Sequence, residues 1–413
     1  MNDVAQVEIA PVEASRRIKT LDVLRGLAIL GILAVNAPFF AAPWQTAMNP
    51  SLAPLAIDPS NAWSWFVPHV FFEAKFITLF SLLFGVSIFL VGAERSDKGR
   101  GKVLRRRLGW MLLFGIVHGA AIWFGDILLV YAVSGFIVML ARSWKPRTLM
   151  IVGSTVYVLL AAFGFLAGAA IGMAPAEVLE EMRTEMWSPP LDVLNATVSN
   201  FSGTFVQSLA ANFTAWSDFV PYELSNTVPR SIAVMMIGLA LFKWGFFSGN
   251  TPVWAYLIVI GVGAAALAAV AYQAQLNYAA GFDFIHMNSR GAMLNPALSI
   301  LITLMYASLL ILCVKLNVLG FLTNALAPVG QMAFTNYISQ SVIMTAIFYG
   351  GRGLGLYGEV SREGLVAIVA GIWVLQLIWS PLWLSRFSMG PLEWVWRRLS
   401  YGKPVAIGKA VPA

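Results

Sequence analysis

The chain is poor in the residues that carry most soluble-protein chemistry. Of 413 residues, one is cysteine and three are histidine, and charged residues make up 11%, less than half of the roughly 25% found in an average soluble domain. The lone Cys313 leaves no intrachain disulfide and no cysteine metal site, and no metal centre is assigned. No small-residue cleavage site follows the first apolar run closely, so that run is expected to stay as a helix rather than leave as a signal peptide. The formal charge of +7 is not a nucleic-acid footprint. Its basic residues sit at the ends of apolar runs, where the positive-inside rule puts them, and no nucleic-acid partner is expected.

What the chain has is apolar length. Hydrophobic residues make up 59%, in stretches of the roughly 20 residues that a spanning helix needs. The expected fold is an all-α polytopic membrane bundle of about ten spans. They fall near residues 21–40, 66–92, 108–125, 127–141, 149–173, 228–247, 253–273, 297–314, 330–349 and 365–385. Arg16, Arg17 and Lys19, the loop "ERSDKGRGKVLRRR", the loop "RSWKPR" and the pair Arg397 and Arg398 fall on one side only if the span count is even. Both termini are therefore expected in the cytoplasm. The chain divides into an N-terminal tail (1–20), a first membrane half (21–173), an outer loop (174–227), a second membrane half (228–385) and a C-terminal segment (386–413). The outer loop opens on "APAEVLEEMRTEMWSPP", acidic and helix-like, and is long enough for a small helical cap. Five spans on either side of it give halves of opposite orientation, as in inverted-repeat transporters, although no internal sequence similarity supports a repeat. "GPLEWVWRRLSYGK" reads as a helix lying in the cytoplasmic interface, with proline in its first turn.

Ionisable groups inside spans cost about 2.5–3.5 kcal/mol each on insertion scales and so mark candidate sites. Span 2 carries His69, Glu73 and Lys75; span 3 carries His118 between Gly115 and Gly119; Asp126 stands in the turn to span 4. His69 and Glu73, four apart, share a helix face, whereas Lys75 points away and is expected to pair with Asp126. The alternative for Glu73, Lys75 and Asp126 is a buried ion-pair network that only locks helices together. His69 has its own alternative, a wetted residue at a helix start. Asn336, Tyr337 and Gln340 of "TNYISQ" in span 9 are candidates for binding substrate. At the other end, Asp22 and Arg25 share a face at the mouth of span 1, where a guanidinium can hold a phosphate. Asn36 lies fifteen residues on from Leu21, roughly 22 Å along the axis, in the outer third of the membrane.

The blocks "RIKTLDVLRGLAILGILAVN", "KFITLFSLLFGVSIFL", "GIVHGAAIWFGDILLVYAV", "GQMAFTNYISQS" and "RFSMGPLEWVWRRLSYG" together resemble the bacterial YeiB-like family of membrane proteins. The opening block is also similar to that of heparan-alpha-glucosaminide N-acetyltransferase and, more loosely, to the acyltransferase-3 membrane enzymes. Those relatives move an acyl group from a cytoplasmic coenzyme A thioester to an acceptor across the membrane. The resemblance implies a bacterial plasma (inner) membrane protein with acyl-CoA as co-substrate and no tightly bound cofactor. His69 stands in a place comparable to the essential histidine of the lysosomal enzyme, and Asn36 matches an asparagine at the end of its first helix.

The expected function is thus acyl transfer, with transport or lipid flipping through the same polar cavity as the alternative. In the acyl-transfer reading His118 or His69 is the general base, and Asn36 or Asn336 stabilises the oxyanion. Asp22 and Arg25 order the donor's entrance, where Arg105, Arg106 and Arg107 could hold its nucleotide end or serve only as a topology signal. The expected partners are membrane lipids, an acyl donor and an acceptor, with a homodimer left open.

Overall fold

In hydrocarbon every backbone N–H and C=O must be satisfied within its own segment, so apolar runs of this length become helices. The computed structural model describes residues 17–408. Residues 1–16 of the expected N-terminal tail and 409–413 of the C-terminal segment lie outside the described residues.

The first membrane half contains α1 (Lys19–Ala41), α2 (Lys75–Gly92), α3 (Lys98–Val117), α4 (Leu128–Ala141) and α5 (Pro146–Ile171). Then come α6 (Leu191–Ser202) and α7 (Phe205–Tyr222), followed by α8 (Val228–Lys243), α9 (Val253–Ala279) and α10 (Leu294–Lys315). The chain closes with α11 (Gly320–Gln331), α12 (Ala333–Phe348), α13 (Arg362–Arg386) and α14 (Pro391–Tyr401). Among the described residues seven helical stretches are long and apolar enough to cross a membrane. The shorter α4, of 14 residues, is apolar as well. The protein is a helical membrane bundle.

Large side chains such as Phe163 and Leu166 on α5 and Trp254 and Leu257 on α9 are more than half exposed. They form the surface that lipid would cover. The interior is lined by α1, whose Leu24, Ala28 and Ile29 are buried with Leu79, Leu82 and Val86 of α2 and Val234 and Met235 of α8.

Two local features differ from the sequence reading. The segment 174–227 is helical, as its start suggested, but it does not end at residue 227. It continues through a π-turn, Glu223–Thr227, directly into α8. Pro221 and Pro229 lack the N–H that a regular helix uses, and the wider turn between them accommodates the loss without a break. Spans 2 and 3 are also not plain helices. Pro68–Phe72 and His118–Ile122 are π-turns, and each carries one of the two histidines of these spans. Such turns redirect side chains and recur at functional sites.

Candidate functional site

His118 opens the second of these π-turns, and both of its ring nitrogens are engaged. Nδ1 lies 2.8 Å from Asp126 Oδ1, and Nε2 lies 2.9 Å from Ser341 Oγ on α12. The other carboxylate oxygen of Asp126 accepts the Leu129 N–H at the start of α4, which fixes the acid at a helix N-terminus. Glycine makes the approach possible. A Cβ on Gly115 would come within 2.4 Å of Leu129 N, and one on Gly119 within 2.2 Å of the Trp216 indole. An ionised carboxylate only accepts, so beside one Nδ1 carries the proton; in the neutral tautomer this leaves Nε2 as an acceptor facing the Ser341 hydroxyl. The result is a carboxylate–imidazole–hydroxyl line joining α3, α4 and α12.

The line has further polar neighbours. The Tyr337 ring sits 5.2 Å from that of His118, one turn before Ser341 on α12, and Trp123 stands edge-on at 6.3 Å. Tyr337 OH and Trp123 Nε1 are buried without a hydrogen-bond partner among the described residues, as is Glu223 Oε2 in the π-turn before α8. Trp123 stacks on Phe40 of α1 at 3.9 Å. Asn36, one turn before Phe40 on the same face, is half-buried and makes no side-chain hydrogen bond among the described residues. His118 itself is 1% exposed, so this state of the bundle is closed around it.

Lys75 does not pair with Asp126, contrary to the sequence expectation. Asp126 is committed to His118, and the fully buried ammonium donates to Asn295 Oδ1 on α10 and, at 3.2 Å, to the His69 carbonyl. The π-turn at 68–72 and the left-handed Ala74 (φ 64°) rotate the start of α2, which aims Lys75 at α10 rather than α4. No carboxylate forms a salt bridge with Lys75 among the described residues, so the expected three-member ion network is absent there. His69 instead bonds Glu73 at 2.6 Å and stacks on Trp65. Glu73 is 47% exposed, and the pair forms a separate site from that of His118. Beyond Lys75 the polar band continues: Thr78 and Ser299 meet Arg230 Nη2, and Tyr157 OH donates to the Pro296 carbonyl.

At the end of α1 where the basic segments gather, Asp22 meets Arg25 at 3.3 Å and Arg17 at 4.0 Å, and Arg25 also donates to Ser87 Oγ. Arg107 lies 3.6 Å above the Trp396 ring, and the Trp396 indole donates to the Arg107 carbonyl. Arg397, next along α14, has its pKa lowered by burial and then by the charge of Arg17. Glu393 caps the start of α12 through Phe334 N–H and Thr335 N–H, and burial raises its pKa. Arg17, Arg25, Arg107 and Arg397 thus gather at this end beside Asp22 and Glu393, and Glu393 is spent on a helix cap. Arg105 and Arg106 are exposed instead.

Asn336 and Gln340 are buried and engaged with neighbouring helices. Asn336 bonds the Val329 carbonyl, Ser380 and Trp379, and Gln340 bonds the Ile29 carbonyl and Gln376. These amides bind α12 to α1 and α13. Sequence reading missed Ser341, Trp123, Glu223, Asn295 and Arg230, and took Arg397 as a topology signal only. A serine or tryptophan in an apolar run gives no signal of its own, and Glu223 was absorbed into the loop. Ser341 had one available cue: it follows Tyr337 by four residues and so shares its face.

Residues 241–403 match the family described as "Protein of unknown function (DUF418)". The uncharacterised protein YeiB of Escherichia coli is 30% identical over 406 residues, covering 92% of this chain and 95% of that protein. The uncharacterised protein YxaH of Bacillus subtilis is 29% identical over 409 residues, covering 95% and 96%. An uncharacterised 39.9 kDa protein of Bacillus acidopullulyticus is 27% identical over 408 residues, covering 96% and 97%. No solved structure matches the chain significantly. End-to-end similarity of this degree to YeiB, on the helical membrane bundle described above, places the chain in the YeiB-like family of bacterial membrane proteins.

Proposed function

We propose that the protein is a transmembrane acyltransferase of the bacterial plasma membrane, moving an acyl group from cytoplasmic acyl-CoA to an acceptor on the outer side. The observation that carries this reading is the Asp126–His118–Ser341 line with two buried, unpartnered donors beside it, Tyr337 OH and Trp123 Nε1. In a transfer step Asp126 holds Nδ1–H, and Nε2 takes the acceptor's proton, directly or through the Ser341 hydroxyl. The Tyr337 and Trp123 donors suit the oxyanion that forms at the acyl carbon. The arginines at the mouth suit the phosphates of coenzyme A. From Arg107 to His118 is eleven residues of one helix, about 16 Å, a distance for the pantetheine arm to cover. The closed packing around His118 means that the bundle opens before donor or acceptor enters.

The orientation belongs to the same proposal: ten spans, both termini in the cytoplasm, the arginine end inside and the 174–227 helices outside. Reporter fusions at Ser96 and Glu181 are expected on opposite sides, with Ser96 cytoplasmic; the same side for both overturns the map.

Transport of an anion is the competing reading. The buried Lys75 and the half-buried Arg230, neither in a salt bridge with an acid among the described residues, favour it. Native mass spectrometry of the purified protein with acetyl-CoA and longer acyl-CoAs separates the two. A bound thioester in the wild type is expected, with binding weakened roughly tenfold or more in Arg25→Gln/Arg107→Gln, since each removes a charge-assisted hydrogen bond. If the wild type retains no acyl-CoA of any chain length, acyl transfer is abandoned for transport.

A further inference from the structure

Arg352 stands in the glycine-rich segment that follows α12, and half of its guanidinium is unused. Nη1 donates to the Ile122 carbonyl at 2.9 Å. Nε and Nη2 are buried and have no hydrogen-bond partner among the described residues. These two nitrogens form the lateral edge of the guanidinium, whose parallel N–H groups match two oxygens of one carboxylate or phosphate. No carboxylate forms a salt bridge with Arg352 among the described residues. The Tyr349 ring lies 5.1 Å from the guanidinium, and its hydroxyl, on a side chain with 0% exposure, is likewise unpartnered.

The arginine is held firmly in this position. Gly350 N–H donates to the Phe201 carbonyl, and Ser208 Oγ donates to the Gly350 carbonyl, so the segment is stitched to α6 and α7. A Cβ on Gly350 would lie 1.8 Å from the Gly203 carbonyl oxygen, so only glycine allows the contact. Its anchor, Ile122, is the last residue of the π-turn that His118 begins.

We infer that Arg352 and Tyr349 form an oxyanion site that holds a carboxylate or phosphate group of the acceptor at the outer end of the His118 turn. The guanidinium edge supplies two charge-assisted hydrogen bonds and the tyrosine hydroxyl a third, in surroundings where an unpaired cation is costly. The inference rests on the acyl-transfer reading for the word acceptor. The anion site itself does not depend on it.

The test measures binding without any acyl-CoA. Purified protein in neutral-lipid nanodiscs is titrated with inorganic phosphate and with glutarate, against chloride at equal ionic strength, and its thermal midpoint is followed. A parallel set of nanodiscs containing phosphatidylglycerol asks whether the oxyanion comes from a lipid headgroup instead. At least one oxyanion is expected to raise the midpoint of the wild type. Arg352→Gln is expected to weaken that binding roughly ten- to a hundredfold and Tyr349→Phe by about tenfold. Tyr349→Phe keeps the ring packing and serves as the readout if Arg352→Gln fails to fold. An oxyanion effect that is absent in the wild type, or unchanged in both variants, overturns the site. Binding lost in the variants while no acyl-CoA is ever consumed rejects the acyltransferase reading and leaves the anion site standing.

Discussion

In the proposed acyltransferase, His118→Ala is expected to lower acyl transfer by a factor of about 10² to 10⁴, the usual contribution of a positioned general base. Donor binding should stay near that of the wild type, because the arginines proposed to hold the phosphates lie at the other end of α3, around Arg107 and Trp396. The variant also leaves Asp126 Oδ1 and Ser341 Oγ without their imidazole partner. A loss of about 1–3 kcal/mol in stability is therefore expected, and folding must be checked by the melting profile. Asp126→Asn separates chemistry from structure. It keeps the size of the side chain and the Leu129 contact, but its amide can donate to Nδ1 and so favours the other tautomer, in which Nε2 carries the proton. Transfer should fall in this variant as well, with little change in melting. Labelled acyl-CoA assays on both variants decide the matter. Full activity in either one removes His118 as the base and leaves the line as a structural tie between α3, α4 and α12.

The second large effect concerns stability. Asn295→Leu removes the amide that accepts from the fully buried Lys75 ammonium and leaves it with the His69 carbonyl. A buried charge stripped of a partner costs about 3–5 kcal/mol, enough to lower the thermal midpoint of the detergent-solubilised protein by many degrees. Lys75→Met/Asn295→Leu replaces both groups by apolar side chains of similar length. It should recover most of the loss, since a well-packed apolar pair is often as stable as the polar one it replaces. Tryptophan fluorescence during heating reads the three proteins side by side. If Asn295→Leu melts with the wild type, or if the double variant melts no higher than the single one, Lys75 is not the buried cation described here.

The amino-acid sequence by itself determined the class of this protein. Runs of apolar residues with few charges admit a helical bundle and little else, because backbone groups in hydrocarbon have no other way to be satisfied. Proline at the head of "PLEWVWRRLSY" placed α14, and Gly115 and Gly119 showed that something packs closely around His118. Sequence also singled out His118, Asp126, Arg25 and Arg107, since a charge or imidazole in an apolar helix stands out locally. Partnership was another matter. Lys75 and Asp126 looked complementary by depth along regular helices, but two π-turns and a left-handed alanine turn them toward different neighbours. Such a turn shifts every later side chain around the axis and leaves no mark in hydrophobic periodicity. Ser341, Asn295 and the free edge of Arg352 depend on contacts across more than two hundred residues of chain, from His118 to Ser341, Lys75 to Asn295 and Arg352 to Ile122. Only the packed bundle sets those distances, because the identity of a side chain states what bonds it can make and its tertiary neighbours decide which of them it does make.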